Sequence, residues 1–189
     1  MDTMSPILFI RHAETDLAGT FCGHSDPPIN ARGQRQIQDL LRALEGKTLD
    51  AIYASDLQRA ATTGEALAAA FDAPLVTTSA LREIGFGQWE GLTWSQIERK
   101  DATRASRWLE DYPYLAPPGG ESFEVFESRV RGEVERLVAL AGDKCFAVVT
   151  HAGVMRFVLR ALCGCMEQDA WRRTKSYCCF FEYAYEVKQ

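Results

Sequence analysis

Three histidines occur in the chain, and two of them stand directly behind short apolar segments rich in branched residues. His12 follows PILFI and Arg11; His151 follows FAVVT and precedes Ala152-Gly153. Arg59 lies just beyond another short apolar segment, AIYA, in the run Ser55-Asp56-Leu57-Gln58-Arg59. In open α/β sheets ligands bind beyond the carboxyl ends of the strands, near helix N-termini, so these residues are candidates for one shared site. Two imidazoles and two guanidinium groups there specify a chemistry. The arginine fork matches phosphate oxygens two at a time. Neighbouring cations hold an imidazole in its neutral, nucleophilic form. Phosphoryl transfer needs positioning and charge neutralisation, which Arg11, Arg59 and His151 can supply around a His12 nucleophile without a metal ion. A metal site would call for more carboxylates or a third imidazole nearby.

The elements that must hold these residues alternate between strand and helix. Strands are predicted at residues 6–10, 51–54, 75–77 and 146–150, each a short apolar run. A weakly alternating segment, 178–187, predicts a final edge strand. The first helix starts with Asn30 as N-cap, buries Ile37, Leu40, Leu41 and Leu44, and stops at Gly46. Ser55 with Gln58 three residues on reads as a capping box opening a second helix. Its buried stripe is Leu57, Ala60, Ala61, Gly64, Leu67 and Ala68. A long helix is predicted from about residue 122 to 141, and another from about 154 to 162. This order predicts an α/β fold, a three-layer αβα sandwich on a mostly parallel sheet, as a single domain over residues 1–189. Residues 85–120, rich in Gly, Trp and Pro with two short polar helices, predict a small helical cap insertion over one sheet end.

Composition bounds the function. The net charge of −5 speaks against nucleic acid as a partner, and an anionic substrate must then be drawn by a local cluster of cations. MDTMSPILFI lacks the basic start of a signal peptide and no segment has the apolar length of a membrane span, so a cytoplasmic location without membrane contact is expected. Six cysteines fall outside metal-finger spacings, which predicts reduced, mostly buried thiols.

Four segments, in order, resemble the motifs of the histidine phosphatase superfamily, the phosphoglycerate mutase-like proteins: LFIRHAET, SDLQRAATT, LREIGFGQWEG and VVTHAGV. They span residues 7–155. The resemblance implies a phosphatase with no cofactor and no metal, acting on a small-molecule phosphate ester through a phosphohistidine at His12. Arg11, Arg59 and His151 would grip the phosphoryl oxygens, with Thr15, His24 and Gly153 as further substrate contacts. Glu83 would protonate the leaving oxygen and then activate water. Its apolar neighbours Leu81, Ile84, Phe86 and Trp89 suit a carboxyl group in that role.

The chain departs from the pattern in two places. Ala13 stands where the motif carries glycine, and the loop after Thr15 is shortened, with Ala18 near the place of a usual asparagine. Segments such as GHSDPPINARG, FGQWEG and APPGGESF are most similar to the α-ribazole phosphatases of cobalamin assembly. Broad-specificity sugar or alcohol phosphatases and phosphoglycerate mutase-like enzymes are the alternatives, and a non-catalytic phospho-ligand binding module is the alternative of another class. A homodimer stays open. Glu14 and Glu90 compete with Glu83 for the acid's role, and His24 reads as a loop residue near the entrance. Trp89, Trp94, Trp108 and Tyr112 read as packing residues of the cap, and residues 98–107 as a solvated helix face.

Overall fold

The computed structural model describes residues 6–111 and 115–184. Tyr112 and the end of the expected final strand lie outside them. Strands β1 (Ile7–Arg11), β2 (Ala51–Ser55), β3 (Leu75–Thr78), β4 (Phe146–Thr150) and β5 (Phe180–Tyr183) form one sheet in the order β3-β2-β4-β1-β5. All neighbours are parallel except β5, which pairs antiparallel with β1 at the edge.

The central strands are apolar throughout because both sheet faces are covered. Leu8, Ile10, Ile52, Ala147 and Val149 point to the face packed with α1 (Ala31–Ala43) and α2 (Gln58–Phe71). Ile7, Phe9, Phe146 and Val148 point to the other, against α5 (Phe123–Ala141), α6 (Ala152–Phe157) and α7 (Glu167–Thr174). The αβα layering read from the sequence is thus the architecture observed. Among the described residues, no helix is long and apolar enough to cross a membrane.

Local signals account for most helix starts. The Asn30 side chain accepts from Gly33 N at the head of α1, and Ser122 accepts from Val125 N at the head of α5. The second helix differs from expectation. Ser55 is the last residue of β2, its Oγ accepts from Leu57 N, and α2 begins three residues later with no side-chain cap on Leu57. Ser55 is spent on the turn, and the Gln58 N–H is met from elsewhere, by Asp26 Oδ1. The capping box lies instead at Thr93 and Gln96, opening α3 (Trp94–Lys100). The predicted helix from about 154 starts at Ala152 and passes into a π-helical stretch, Val158–Leu162. The segment read as a charged helix face is two short helices, α3 and α4 (Ala102–Glu110), with Asp101 capping the second. All six thiols are free; Cys163 is exposed rather than covered, and the other five are half-buried.

Candidate active site

Register explains why distant residues meet. Arg11 pairs with Thr150 across β1 and β4, so the next residue on each strand, His12 and His151, emerges at the same level. Their ring centroids lie 4.9 Å apart. Ala54 pairs with Val149, which brings the β2–α2 turn, and Arg59 in the first turn of α2, to the same sheet edge.

His12 is buried, and its Nδ1 lies 2.7 Å from the Ala13 carbonyl oxygen. A carbonyl only accepts, so Nδ1 carries the proton and Nε2 keeps the lone pair. Burial first, then the Arg59 and Arg11 charges, hold the ring well below the ordinary histidine pKa. His151 is lowered in the same way, by burial and then by Arg59, His12 and Arg11. Arg11 Nε, Arg59 Nε and both ring nitrogens of His151 are buried without a hydrogen-bond partner in the protein.

The two guanidinium groups are held from behind by backbone carbonyls. Arg11 Nη1 donates to Thr174 O (3.0 Å) and Lys175 O (2.6 Å), and its plane lies over the Tyr177 ring. Arg59, fully buried, donates from Nη1 to Ser25 O (2.6 Å) and from Nη2 to Gly23 O (2.7 Å) and Cys22 O (3.3 Å). The Nε–H of each arginine is thereby left for whatever enters the site.

Three carboxylates competed for the acid's place. Glu14 turns toward α1, near Gln36, Asn30 and Arg32. Glu90 lines neither cavity described below, and backbone N–H groups occupy its carboxylate. Glu83 lines both cavities; its Oε1 accepts from Ile84 N (3.0 Å) and its Oε2 from Gly153 N (2.9 Å) at the head of α6. A Cβ on residue 153 would collide with Glu83 Oε1, so glycine there is what lets the carboxylate lie against the helix start.

A cavity of about 390 Å³ opens at this edge, walled by Arg11, His12, Thr15, Cys22, Glu83 and Ala152; Arg59 and His151 are buried and are not part of its wall. A second cavity of about 310 Å³ adjoins it at Glu83 and is lined by Phe86, Trp108, Leu115, Phe123, Phe126 and Phe157. Phe21 joins the two cavities and packs edge-on against Phe86, Trp89 and Trp108. The cap tryptophans therefore divide. Trp89 is buried in the aromatic cluster, whereas Trp94 and Trp108 also face the cavities.

The structure thus brings together Arg11, His12, Arg59, Glu83, His151 and Thr15, with Gly153 as the seat of the Glu83 carboxylate. It does not bring His24 to either cavity; His24 is exposed, with Nε2 3.1 Å from the Glu83 carbonyl oxygen. Sequence reasoning passed over Arg156, Trp171, Lys175 and Tyr177, all on the wall of the first cavity. Arg156, five residues beyond His151 on the helix that follows it, carried a usable signal; the other three did not. Among the described residues, no three His, Cys, Asp or Glu side chains gather as metal ligands would.

The neutral imidazoles have a measurable consequence for stability. Both pKa values are lowered on folding, so below about pH 6.5 the unfolded chain binds protons that the native state does not. Stability contributed by the neutral rings is therefore full above that pH and falls as pH drops toward the folded values. The slope is up to about 1.4 kcal/mol per pH unit for each histidine. Urea midpoints at pH 7.0 and 5.5 are expected to fall less in His12→Ala than in the wild type. Equal falls would mean that His12 titrates normally in the folded state.

Comparison with known proteins gives consistent relatives. The family model described as histidine phosphatase superfamily (branch 1) matches residues 7–189. An adenosylcobalamin/alpha-ribazole phosphatase of Escherichia coli (strain K12) is 32% identical over 164 residues, covering 86% of this chain and 81% of the relative. Phosphoserine phosphatase 1 of Hydrogenobacter thermophilus is 29% identical over 170 residues, covering 89% and 81%. The crystal structure of the alpha-ribazole phosphatase from Shigella flexneri superposes with a TM-score of 0.82 at 29% identity, covering 93% of this chain and 88% of that one.

Proposed function

The chain belongs to the histidine phosphatase superfamily, and on that premise we propose that it is a metal-independent phosphomonoesterase working through a phosphohistidine at His12. The observation that carries this reading is the group of buried, unpartnered donors beside a lone-pair-bearing Nε2: Arg11 Nε, Arg59 Nε and the His151 ring. Leaving such groups unpaired costs about 1–3 kcal/mol each, and a tetrahedral dianion satisfies them together.

In the first step His12 Nε2 attacks phosphorus while the ester P–O bond breaks, and Glu83 gives its proton to the departing alcohol. In the second, water attacks the phosphohistidine, the P–N bond breaks, and Glu83 takes the water's proton. Ester and water become alcohol and phosphate, and His12 returns to its starting form. Arg11, Arg59 and His151 hold the three spectator oxygens through both steps. We also read residues 85–120 as the cover that receives the alcohol, since residues of that segment wall the apolar cavity next to Glu83. The flat aromatic base of α-ribazole 5′-phosphate suits those walls, and α-ribazole phosphatase is the specific activity we favour.

Two measurements test this. Hydrolysis of an aryl phosphate is expected to persist in EDTA and to trap an acid-labile phosphoryl label on His12; tight phosphate binding without turnover would mark a binding module instead. In a panel ranked by kcat/KM, α-ribazole 5′-phosphate is expected to exceed sugar phosphates at least about tenfold, as burial of an apolar ring of that size allows. A flat ranking would make the enzyme a broad-specificity phosphatase.

A further inference from the structure

Glu90 lines neither cavity, and both of its carboxylate oxygens are taken by backbone N–H groups. Its Oε1 accepts from His24 N (2.8 Å) and Phe86 N (2.9 Å), and its Oε2 from Gly23 N (3.0 Å) and Ser25 N (3.1 Å). Burial opposes its ionisation, but the N–H bonds from Phe86, His24 and Ser25 outweigh it and hold the carboxyl below its ordinary pKa. Three of those four donors belong to the loop whose carbonyls grip Arg59. Two peptide groups of that loop serve both sides at once. The 22–23 peptide points its N–H at Glu90 and its C=O at Arg59 Nη2. The 23–24 peptide does the same.

We propose that Glu90 is a positioning residue for phosphoryl transfer, fixing the orientation of Arg59 through the peptide groups of residues 22–25. The inference rests on the proposed role of Arg59 in gripping phosphate. A carboxylate at one end and a guanidinium at the other align these peptide dipoles along a single direction, and each strengthens the other's hydrogen bonds. Without the anion, the loop has no reason to present three carbonyls to one cation, and the Arg59 fork loses the backing that sets where its Nε–H points. Gly23 supplies an independent sign that the contact is close. A Cβ there would collide with Ile84 O and press on Glu90 Oε1, so the loop lies against Glu90 with no room for a side chain. The fourth bond comes from Phe86 N, three residues after Glu83.

The test is Glu90→Gln measured with and without Arg59. The carboxamide keeps one acceptor oxygen and turns an NH2 toward donors, so about half of the four bonds are lost. In the wild-type background, kcat/KM is expected to fall about 10- to 100-fold, the scale for removing a group that orients a binding side chain. The fall should be equal for aryl and alkyl phosphates, with a parallel rise in the Ki of inorganic phosphate. In an Arg59→Ala background the same change should cost less than about threefold, because its effect runs through the missing guanidinium. Equal losses in both backgrounds, or a wild-type rate for Glu90→Gln, would overturn the proposal. An Arg59→Ala enzyme as fast as wild type would instead remove the reading of the site beneath it. Should Glu90→Gln not reach the native circular dichroism spectrum, the same cycle run with Glu90→Asp decides by the same criterion.

Discussion

His12→Ala is expected to lower kcat/KM by at least about 10⁴-fold while leaving the fold and phosphate binding in place, because a missing nucleophile cannot be replaced by the groups that hold the substrate. The fold should survive, since the imidazole is neutral and its one hydrogen bond is to the adjacent Ala13 carbonyl. Arg11 and Arg59 keep their backbone-carbonyl supports in the variant, so inorganic phosphate should still bind. Circular dichroism, a competitive phosphate Ki and turnover of an aryl phosphate, run on one preparation, check all three. Turnover within tenfold of wild type would remove the phosphohistidine from the mechanism.

The second large effect is expected at Glu83. A general acid is worth about 10²–10⁴-fold, and most where the leaving group is a poor one. Glu83→Gln should therefore cost an alkyl phosphate roughly that much and an aryl phosphate far less, because a phenolate departs without a proton. The contrast is the informative part. Glu83 also accepts from Ile84 N and Gly153 N, so a purely structural role would harm every ester alike. Equal losses on alkyl and aryl esters would pass the proton to another group.

The sheet edge was legible because its determinants are local. Apolar runs of strand length mark β1, β2 and β4, and the residues just past them carry the charge and imidazole that converge at the cavity. β4 and α5 lie where the sequence puts them, since FAVVT and the serine-capped stripe from residue 123 are unambiguous. Helix α7 escaped notice for the opposite reason. Its sequence EQDAWRRT has only Ala170 and Thr174 buried, too few for a periodic stripe, although the carbonyl of Thr174 holds Arg11. Glu83 and Glu90 could not be separated by composition, being seven residues apart in one loop. What separates them is which distant backbone N–H groups reach each carboxylate besides those of its own segment: that of residue 153 for Glu83 and those of residues 23–25 for Glu90. The clamp on Arg59, from carbonyls 34 to 37 residues earlier, leaves no trace in side-chain identity at all.

The support of Arg11 by the Thr174 and Lys175 carbonyls, with β5 laid along β1, joins the first strand to segments more than 160 residues further on. Arg11 is synthesised more than 160 residues before the carbonyls that fix its guanidinium. A nascent or truncated product ending before residue 174 therefore carries every residue assigned to the chemistry while lacking the brace that orients Arg11.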